Sequence, residues 1–327
     1  MQSLVTGASG YIGCNLVLKM SEKGMKTRAL VRKTSNIQRL LGLKNVEICY
    51  GDITDFSSLE QAVKGCQVVF HTAALINDWG YYQKFYKVNY LGTWNILQAS
   101  IKEKVKRFIH ISSIGALNLK GRGIIREDHP YGHFTSSYFR SKAEAEKLVR
   151  KYSDVIPAVI IRPPAVYGPE DFLLSGKASN LARKKLLFVI ERGKGIFPHL
   201  YIDNLIQAIL LAAQKEGAGG EIFNITDGVD TSALEFFNHF NHTVGKGDIN
   251  LSLPYPLAWI LAFLLDIYSK LTGRPPLLSW TALEFLTLKC RFDISKAREK
   301  LGYRPTISLK EGMKRVKLWW DSINLSE

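Results

Sequence analysis

The sequence predicts an α/β fold built on a doubly wound parallel sheet, and two observations support that prediction. Short β-branched runs alternate with amphipathic helical stretches over the first half of the chain. A glycine-rich turn joins the first β-branched run to the first helical stretch. Alternation of this kind is typical of parallel strands joined by crossover helices. We therefore expect a layered domain with helices on both faces of the sheet.

The predicted elements follow one another in regular order along this part of the chain. The predicted strands cover residues 3–6, 27–31, 46–50, 68–71, 108–111 and 158–162. The predicted helices between them cover residues 11–23, 57–63, 82–102 and 136–151. Each strand is a short, mostly apolar run, and each helix shows apolar residues recurring three or four positions apart.

The alternation breaks after Arg162, where proline and glycine predict loops. Pro163-Pro164 and Gly168-Pro169 mark these loops, because proline fixes φ and disfavours helix in the residue before it. Further on we expect strands at 197–202 and 222–225 and helices at 203–214, 232–242 and 309–319. We place one domain at residues 1–165 and a smaller one at 166–327, with elements at about 203–225 returning to the sheet.

Composition and charge narrow the class of protein. Hydrophobic residues make up 46% of the 327 residues and charged residues 22%, which excludes a disordered, collagen-like or disulfide-scaffold protein. The 44 Lys and Arg against 29 Asp and Glu give a net charge of +15, which favours an acidic partner. A nucleotide phosphate and an anionic membrane both qualify. We do not expect nucleic-acid binding, because no basic region carries a known nucleic-acid motif.

The sequence also predicts the compartment. No run reaches the roughly 18 apolar residues that span a bilayer. An apolar strand begins at Ser3, which leaves no room for a cleaved signal. Four scattered cysteines without CxxC spacing are typical of reduced thiols. These features predict a cytoplasmic protein, with peripheral membrane contact as an additional option.

The glycine-rich turn after the first strand is the candidate cofactor site. Glycine permits a tight turn and a close approach of the backbone to a pyrophosphate. The N-terminus of the following helix offers free N–H groups to the phosphates. Between a strand and a helix, this pattern predicts dinucleotide binding. The expected binding residues are Gly7, Ser9, Gly10, Tyr11, Ile12 and Gly13.

The end of the second strand favours NADP over NAD. An acidic residue about 20 positions after the glycines would hold the adenosine ribose of NAD, whereas this chain has Arg32 and Lys33. A guanidinium suits a 2′-phosphate, which it grips with two parallel hydrogen bonds. Alternatively, both cations only cap a solvated loop. Asp52, followed by Ile53, ends the third strand, where a carboxylate accepts a hydrogen bond from the adenine amino group.

A tyrosine and a lysine near the start of a helical run form the candidate catalytic pair. Tyr138 and Lys142 are four residues apart and so share one helix face. An ammonium beside a phenol favours the phenolate, as acid/base catalysis near neutral pH requires. Ser112 and Ser113 follow the fifth strand, at the sheet edge where ligands bind. A hydroxyl there can hold a substrate oxygen while Tyr138 moves the proton.

Several segments of the chain together resemble one protein family. They are TGASGYIG, GDITD, HTAA, NYLGTWNIL, ISS, YFRSK, RPPAVYGP, YIDN and FDISKAREKLGYRP. With these segments the chain resembles the extended short-chain dehydrogenase/reductase family over essentially its whole length. The resemblance implies a Rossmann-type fold with a smaller C-terminal α/β substrate domain. It also implies that Ser113, Tyr138 and Lys142 form the catalytic triad.

The resemblance assigns further roles around this triad. Lys142 would also hold the nicotinamide ribose, and Asn89 would brace the helix that carries the site. Ala73 and Ala74 would line the adenosine side of the cofactor. The nicotinamide side would be lined by Pro163, Ala165 and Val166. Members of the family are often homodimers through the two helices predicted at 82–102 and 136–151, so we expect a homodimer.

Within the family, the chain is most similar to the 3β-hydroxysteroid dehydrogenase branch. The similarity rests on residues 74–80, on the Ser-Ser-Ile-Gly segment and on an apolar insertion before FDISKA. It implies hydride transfer to or from a hydrophobic secondary alcohol or ketone, sterol-like or a 3-keto acid. One alternative is a sugar-nucleotide 4-epimerase, in which Arg183-Lys184-Lys185 and Arg192 would grip a diphosphate. A second alternative is a non-catalytic NADP-binding protein.

The apolar insertion has three interpretations. Residues 257–265 are apolar on every helix face, as is much of 277–288, and such a helix is buried or lies in lipid. It could be core of the second domain, a wall or lid over an apolar substrate, or an interfacial membrane anchor. Residues 289–317 carry ten Lys or Arg against three acids, which suits an anionic bilayer or simply a solvated face.

Overall fold

The computed structural model describes residues 2–77, 79–134 and 136–324, and its centre is a seven-stranded parallel sheet. The strands are β1 (Ser3–Thr6), β2 (Thr27–Val31), β3 (Val46–Tyr50), β4 (Val68–His71), β5 (Arg107–Ile111), β6 (Ala158–Arg162) and β7 (Ile222–Asn224). Across the sheet they run in the order β7-β6-β5-β4-β1-β2-β3. The order reverses direction between β1 and β4, which is where ligands bind in doubly wound sheets. The predicted fold class is confirmed.

Eleven α-helices occur in the described part of the chain, and most of them cover the two faces of this sheet. They are α1 (Tyr11–Glu22), α2 (Phe56–Val63), α3 (Tyr82–Phe85), α4 (Gly92–Lys102), α5 (Ser137–Lys151), α6 (Ser175–Arg183), α7 (Ile202–Gln214), α8 (Ala233–Thr243), α9 (Tyr255–Thr272), α10 (Trp280–Leu286) and α11 (Leu309–Asn324). A π-helical turn, Tyr86–Leu91, joins α3 to α4 without a break. The helix predicted at 82–102 therefore exists, with one π turn inside it.

The packing explains why the main strands could be read from the sequence. Every residue of β1, β4 and β6 is buried, because a parallel sheet covered on both faces has no polar side. One apolar cluster joins the sheet to α1, α7 and α8, and a second joins the opposite face to α2, α4 and α5. The two clusters together hold the sheet between its helical layers.

Three small parallel strand pairs lie outside the main sheet, and six of the helices in the described part of the chain, α6 to α11, follow Arg162. The pairs are Ala165–Tyr167 with His199–Tyr201, Val189–Ile190 with Ser252–Leu253, and Arg122–Ile125 with Lys289–Phe292. The strand predicted at 197–202 is shorter than expected, and β7 pairs with β6 in the main sheet.

The homodimer expected through the helices at 82–102 and 136–151 stays a prediction.

The apolar insertion is not plain core. It forms α9, in which Ala258, Ala262 and Ser269 are buried while most of the large apolar side chains are exposed. The interpretation of residues 257–265 as core of the second domain is therefore wrong for most of them. Within the described part of the chain, no helix is both long enough and apolar enough to cross a membrane.

A buried ion pair fixes α5 against the sheet. Glu146 of α5 and Arg162 at the end of β6 are 0% and 1% exposed, with Nη2 of the arginine 2.5 Å from Oε1 of the glutamate. Arg162 Nε lies 3.1 Å from the second carboxylate oxygen, and its Nη1 donates to the Glu127 carbonyl at 2.9 Å. Ser112 Oγ and Tyr131 Oη donate to the same carboxylate, at 2.5 and 2.9 Å.

We expect Arg162→Leu to lower the free energy of unfolding by about 3–5 kcal/mol, because it leaves the Glu146 charge buried without a partner. Urea unfolding followed by circular dichroism measures this loss. Arg126→Leu is the matched control, since Arg126 pairs with Asp293 at 3.0 Å but its side chain is 65% exposed. Breaking that pair should cost less than about 1 kcal/mol, and equal losses would contradict the prediction.

Candidate active site

The glycine-rich turn closes tightly against the end of β4. Gly7 has φ +67°, and a Cβ there would lie 2.7 Å from Cα of Ala73. A Cβ on Gly13 would lie 2.7 Å from Oγ1 of Thr72, and the Gly10 N–H donates to the Gly7 carbonyl at 2.9 Å. Side chains at these positions would push the loop outward. Because the glycines have no side chains, the loop stays close to the end of β4 and a pyrophosphate can approach its backbone.

The first turn of α1 has the features of a phosphate site. Gly10 is its N-cap, no side chain caps it, and no acidic residue lies in its first turn. The N–H groups at the start of a helix have no partner within the helix, so they are available to an anion. Ser9 and Gly10 are exposed at this point. The residues present therefore fit the diphosphate of a dinucleotide.

The side chain of Tyr11 does not belong to this phosphate site. A Cβ on Gly168 would lie 2.6 Å from the Tyr11 hydroxyl, which places that hydroxyl at the loop following β6. Burial, assisted by the charge of Asp171, raises the pKa of Tyr11 well above its usual value. Tyr11 and Ile12 lie in the first turn of α1, so they could serve the phosphate site through their backbone N–H groups.

Hydrogen bonds tie the ends of β1 and β4 together beside the turn. Thr6 Oγ1 lies 2.8 Å from Nδ1 of His71 and accepts from the Ala73 N–H at 3.3 Å. Thr72 Oγ1 donates to the Thr6 carbonyl at 2.7 Å. Ala73 and Ala74, predicted to line the adenosine side, are half-buried just beyond this connection. Asp78, in the 74–80 segment, lies outside the described residues.

The predicted adenosine-binding residues lie at the ends of β2 and β3. Arg32 and Lys33 are exposed directly after β2, at a turn closed by the Ser35 N–H on the Arg32 carbonyl at 2.9 Å. Asp52 follows β3, and its Oδ1 accepts from the backbone and the side chain of Thr54, each at 2.8 Å. Its second carboxylate oxygen makes neither bond.

Ile53 is buried between this edge and α4. It is 8% exposed, and a Cβ on Gly92 would lie 2.7 Å from its Cδ1. Asn95 Nδ2 donates to the Ile53 carbonyl at 3.0 Å, which fixes the segment after β3 to α4. The side chain of Ile53, predicted to bind the cofactor, is thus packed against α4 and is not exposed at the surface.

The predicted catalytic serine lies at the carboxyl end of β5, against the start of α5. Ser113 is 7% exposed, and its Oγ accepts from the Gly115 N–H at 3.1 Å. The ring of Phe139 fills the space beside Gly115, where a Cβ would lie 2.8 Å from its Cζ. The Ile114 N–H donates to the Pro163 carbonyl at 3.0 Å. The end of β5 is thereby joined to both α5 and the segment after β6.

Tyr138 and Lys142 lie one turn apart on α5, as predicted. The ring of Tyr138 is half-buried, with its centroid 6.4 Å from that of Phe85. Lys142 is 4% exposed, and its Nζ donates to the carbonyl of Ile111, the last residue of β5. Burial lowers the pKa of Lys142 to about 8, although the carboxylate of Glu146 opposes this shift.

Asn89 connects the π turn to both neighbouring segments. Its Nδ2 donates to Oγ of Ser141 at 2.8 Å and to the Leu75 carbonyl at 3.1 Å, while its Oδ1 accepts from the Leu75 N–H at 2.7 Å. Ser141 in turn donates to the carbonyl of Tyr138 at 2.7 Å. The side chain is therefore placed to brace α5 at the predicted catalytic tyrosine.

The residues predicted to line the nicotinamide side lie on the segment after β6. Pro163 is buried, and Ala165 and Val166 are half-buried. Ala165 and Val166 belong to the short strand that pairs with His199–Tyr201. The structure therefore brings Ser113, Tyr138, Lys142 and Asn89 together around β5 and α5, with this segment alongside them.

Two features of the site are absent from the sequence prediction. The first is Glu146, whose signal is a carboxylate at spacing i+4 from Lys142 within an apolar helix face. The second is an aromatic contact in which the ring of Phe285, from α10, lies 5.4 Å from Phe139. Nothing in the local sequence places residue 285 beside residue 139.

Two buried histidines lie beneath the site. The rings of His71 and His110 stack at 5.5 Å on neighbouring strands. Burial, with a smaller effect of the Lys142 charge, lowers the pKa of His71 to about 3 and that of His110 well below its usual value. Both are therefore neutral near pH 7. The described residues contain no group of three or more His, Cys, Asp or Glu side chains placed to bind a metal.

Comparison with known proteins identifies the family. A family model described as "NAD dependent epimerase/dehydratase family" matches residues 3–226. The chain belongs to this family. Sterol demethylase protein B of Methylococcus capsulatus is 31% identical over 322 residues, which cover 94% of each chain. A 4-hydroxy-2-methyl-3-oxo-4-farnesyl-3,4-dihydroquinoline-1-oxide ketoreductase of Stigmatella aurantiaca is 29% identical over 321 residues, covering 96% of this chain and 95% of the relative.

Solved structures agree with the epimerase/dehydratase fold. UDP-glucuronic acid 4-epimerase from Bacillus cereus, in complex with NAD, matches with a TM-score of 0.79 at 24% identity, covering 99% of both chains. At this identity the likeness shows the fold. Membership of the epimerase/dehydratase family confirms the predicted family and makes the protein an NAD-dependent type of oxidoreductase that acts on CH–OH or keto groups.

We expect stability to depend on pH through Lys142. Its pKa of about 8 in the folded protein lies below the 10.5 of the free side chain, so the unfolded chain binds more protons between these values. Stability relative to Lys142→Met should therefore rise with pH, by about 2 kcal/mol from pH 7 to pH 10. Urea unfolding at several pH values, without cofactor, measures the difference.

The matched control is Lys147→Met, on the same helix but exposed. Its difference from the unmodified protein should stay constant over this pH range. A constant difference for Lys142→Met as well would contradict the prediction.

Proposed function

We propose that the protein is an NADP-preferring oxidoreductase that interconverts a hydrophobic secondary alcohol and its ketone. The observation that carries the proposal is the grouping of Ser113, Tyr138 and Lys142 at the carboxyl end of β5, with the rings of Phe85 and Phe139 beside Tyr138. The names of the two relatives above, a sterol demethylase protein and a ketoreductase, support a substrate with a large apolar skeleton.

Tyr138 is proposed to move the proton. In the oxidising direction its phenolate takes the proton of the substrate hydroxyl, and in the reducing direction its phenol returns a proton to the carbonyl oxygen. Lys142, one turn further along the same helix face, stabilises the phenolate through its positive charge. With a pKa of about 8, Lys142 is mostly charged at pH 7, as this role requires.

Ser113 is proposed to hold the reacting oxygen. Its Oγ accepts from the Gly115 N–H, so its own proton is available to donate toward a substrate oxygen. Asn89 positions the tyrosine through Ser141, which donates to the carbonyl of Tyr138. A nicotinamide cofactor, when bound, supplies or accepts the hydride. If a carboxylate lies β to the new ketone, decarboxylation needs no further catalytic group.

Arg32 is proposed to select NADP. It is exposed at the end of β2, about 20 positions after the glycines, where an acidic residue would hold the ribose of NAD. Its guanidinium is planar and can donate two parallel hydrogen bonds to a 2′-phosphate. Asp52 at the neighbouring strand end has a carboxylate oxygen not engaged by Thr54, which suits the adenine amino group.

The substrate side is proposed to be apolar because of α10. Phe285 lies 5.4 Å from Phe139, the neighbour of Tyr138, and Trp280 at the other end of α10 lies 5.6 Å from Trp259 of α9. Helix α10 thus makes one aromatic contact with the catalytic helix and another with the exposed helix α9. A diphosphate-linked sugar would need cationic side chains where Phe285 meets the catalytic helix. The cations considered for that role, Arg183 and Lys184, lie instead at the end of α6.

A substrate panel followed by nicotinamide absorbance tests the proposed function. We expect turnover of apolar 3-hydroxy or 3-keto compounds, such as sterols or long-chain β-keto acids, and none of UDP-sugars. A 4-epimerase returns its hydride to the sugar and leaves the nicotinamide absorbance unchanged, so the UDP-sugar products are also separated by chromatography. Epimerisation of UDP-sugars without turnover of the apolar compounds would replace the proposal with a 4-epimerase, and cofactor binding without any turnover would replace it with a non-catalytic protein.

On the substrate found by this panel, Tyr138→Phe should lower kcat at least about 100-fold, because it removes the acid/base group. Cofactor affinity, measured by fluorescence titration, should stay within about twofold, since the ring itself remains. Tyr152→Phe is the matched control at the far end of the same helix and should leave kcat unchanged. An active Tyr138→Phe variant would remove the mechanism.

Arg32→Ala should weaken NADPH binding about tenfold or more, because it removes charge-assisted hydrogen bonds to the 2′-phosphate. The Kd for NADH should change less than about twofold. Isothermal titration of both cofactors measures the two values, with Lys44→Ala, another exposed cation, as the control. Equal losses for both cofactors would show that Arg32 does not read the 2′-phosphate.

A further inference from the structure

Helix α9 exposes a continuous stripe of large apolar side chains. Its members recur at spacings of three and four residues, so they share one helix face. The stripe, called the α9 stripe below, consists of Leu257 (55% exposed), Ile260 (49%), Leu264 (56%), Ile267 (41%) and Leu271 (82%). Contiguous exposed apolar surface of this kind marks a contact with another surface.

The exposure is a property of a well-packed helix and not of a loose end. The opposite face is buried through Ala258, Ala262 and Ser269, and an apolar cluster beneath it includes Ile190 and Leu283. The helix ends in Gly273 in the left-handed conformation (φ +71°), whose N–H donates to the Ser269 carbonyl at 2.9 Å. The α9 stripe is therefore held outward by the fold.

Aromatic residues flank the α9 stripe. Trp259 stacks on Phe263 at 5.7 Å, and both are nearly half exposed. Tyr255 and Tyr268, toward the two ends of the helix, are 41% and 46% exposed. Tryptophan and tyrosine are enriched at membrane–water interfaces because one end of each ring is apolar and the other polar. The composition of this face matches a lipid interface.

Cations without ion-pair partners lie close in sequence to α9 or to a residue that packs beneath it. Lys184 and Lys185 are exposed and precede Phe188, which packs into the cluster beneath α9, and Arg274 is exposed just after the helix. Across the described residues, none of these three cations forms an ion pair. The 289–317 segment, predicted from its charge to face a bilayer, is less suited, because six of its ten cations are paired.

We propose that the α9 stripe docks in the plane of an anionic lipid bilayer. An 18-residue helix is about 27 Å long, and lying flat it would bury its outer face at the boundary of head groups and acyl chains. Anionic head groups would pair with the neighbouring cations, and the net charge of +15 adds a general attraction. A second copy of the chain fits the α9 stripe less well, because the homodimer is predicted through the helices at 82–102 and 136–151 and not through α9.

The docked orientation would place α10, which contacts both α9 and the catalytic helix, close to the bilayer from which a hydrophobic substrate would come. Helix α10 contacts α9 at its first residue, through Trp280 and Trp259, and contacts the catalytic helix near its other end, through Phe285 and Phe139. This consequence rests on the proposed function, whereas the docking itself does not. Vesicle binding measured without substrate or cofactor therefore tests the docking separately.

The test is co-sedimentation of the full chain with phosphatidylcholine vesicles, with and without phosphatidylglycerol. We expect binding to the anionic vesicles and at least about tenfold weaker binding to the neutral ones. Leu264→Asp should weaken binding to anionic vesicles at least about tenfold, because it places a charge in the apolar contact. Leu318→Asp is the matched control, a 62%-exposed leucine on α11, and should bind as the unmodified protein does.

A second variant keeps the test independent of the fold of the first. Lys184→Glu with Lys185→Glu should reduce the preference for anionic vesicles, and circular dichroism shows whether each variant folds. Failure to bind any vesicle overturns the proposal, as does an equal loss for both leucine variants. If the protein does not bind vesicles but forms a dimer, and Leu264→Asp converts that dimer to a monomer, the α9 stripe contacts a second copy of the chain instead.

Discussion

The ion pair between Glu146 and Arg162 is the constraint on which the arrangement of the site depends. It joins α5 to β6, and Ser112 at the end of β5 donates to the same carboxylate. The two strands and the helix that carry the candidate catalytic groups thus meet at one buried carboxylate. Because a buried charge is tolerated only with its partners in place, small displacements of α5 are costly. The depth and rotation of that helix are set by electrostatics as much as by packing.

This constraint also explains the surroundings of Lys142. The lysine lies one turn before Glu146 on α5, and its ammonium meets the Ile111 carbonyl at the end of β5. Two neutral histidines, His71 and His110, lie on the strands beneath it. The carboxylate favours the charged lysine while burial opposes it, and the outcome is a pKa of about 8. The fold therefore keeps the pKa of this lysine close to neutral pH, where a ligand that binds beside it can change its charge.

The sequence predicts the main sheet well because each of its strands can be recognised from its own short run of residues. Strands buried on both faces are continuous apolar runs, and the predicted bounds of the first six strands differ from the structure only by one residue at Arg107. The grouping of Tyr138, Lys142 and Ser113 follows from helix spacing and from the end of a parallel strand. Glu146 and Arg162 are 16 residues apart, and only the packing of α5 on β6 shows that they pair.

The α9 helix shows the limit of periodicity more plainly. A helix that is apolar on every side has no polar face to tell which side is buried. The structure buries the small residues Ala258, Ala262 and Ser269 and leaves most of the large ones exposed. Small residues permit close approach to the underlying cluster, which the sequence pattern alone does not reveal. Which apolar face meets the protein is decided here by residue size.

The π turn at Tyr86–Leu91 divides one long helix into two parts with separate orientations. A regular helix advances about 100° per residue, so an added residue within one turn rotates everything beyond it by that angle. On one side of the offset Phe85 meets the ring of Tyr138, and on the other Ile96 and Leu97 pack into the core. Asn89 lies within the offset and bonds to Ser141. The same stretch of backbone can therefore serve the core with one face and the active site with another, and straightening it would sacrifice one of the two alignments.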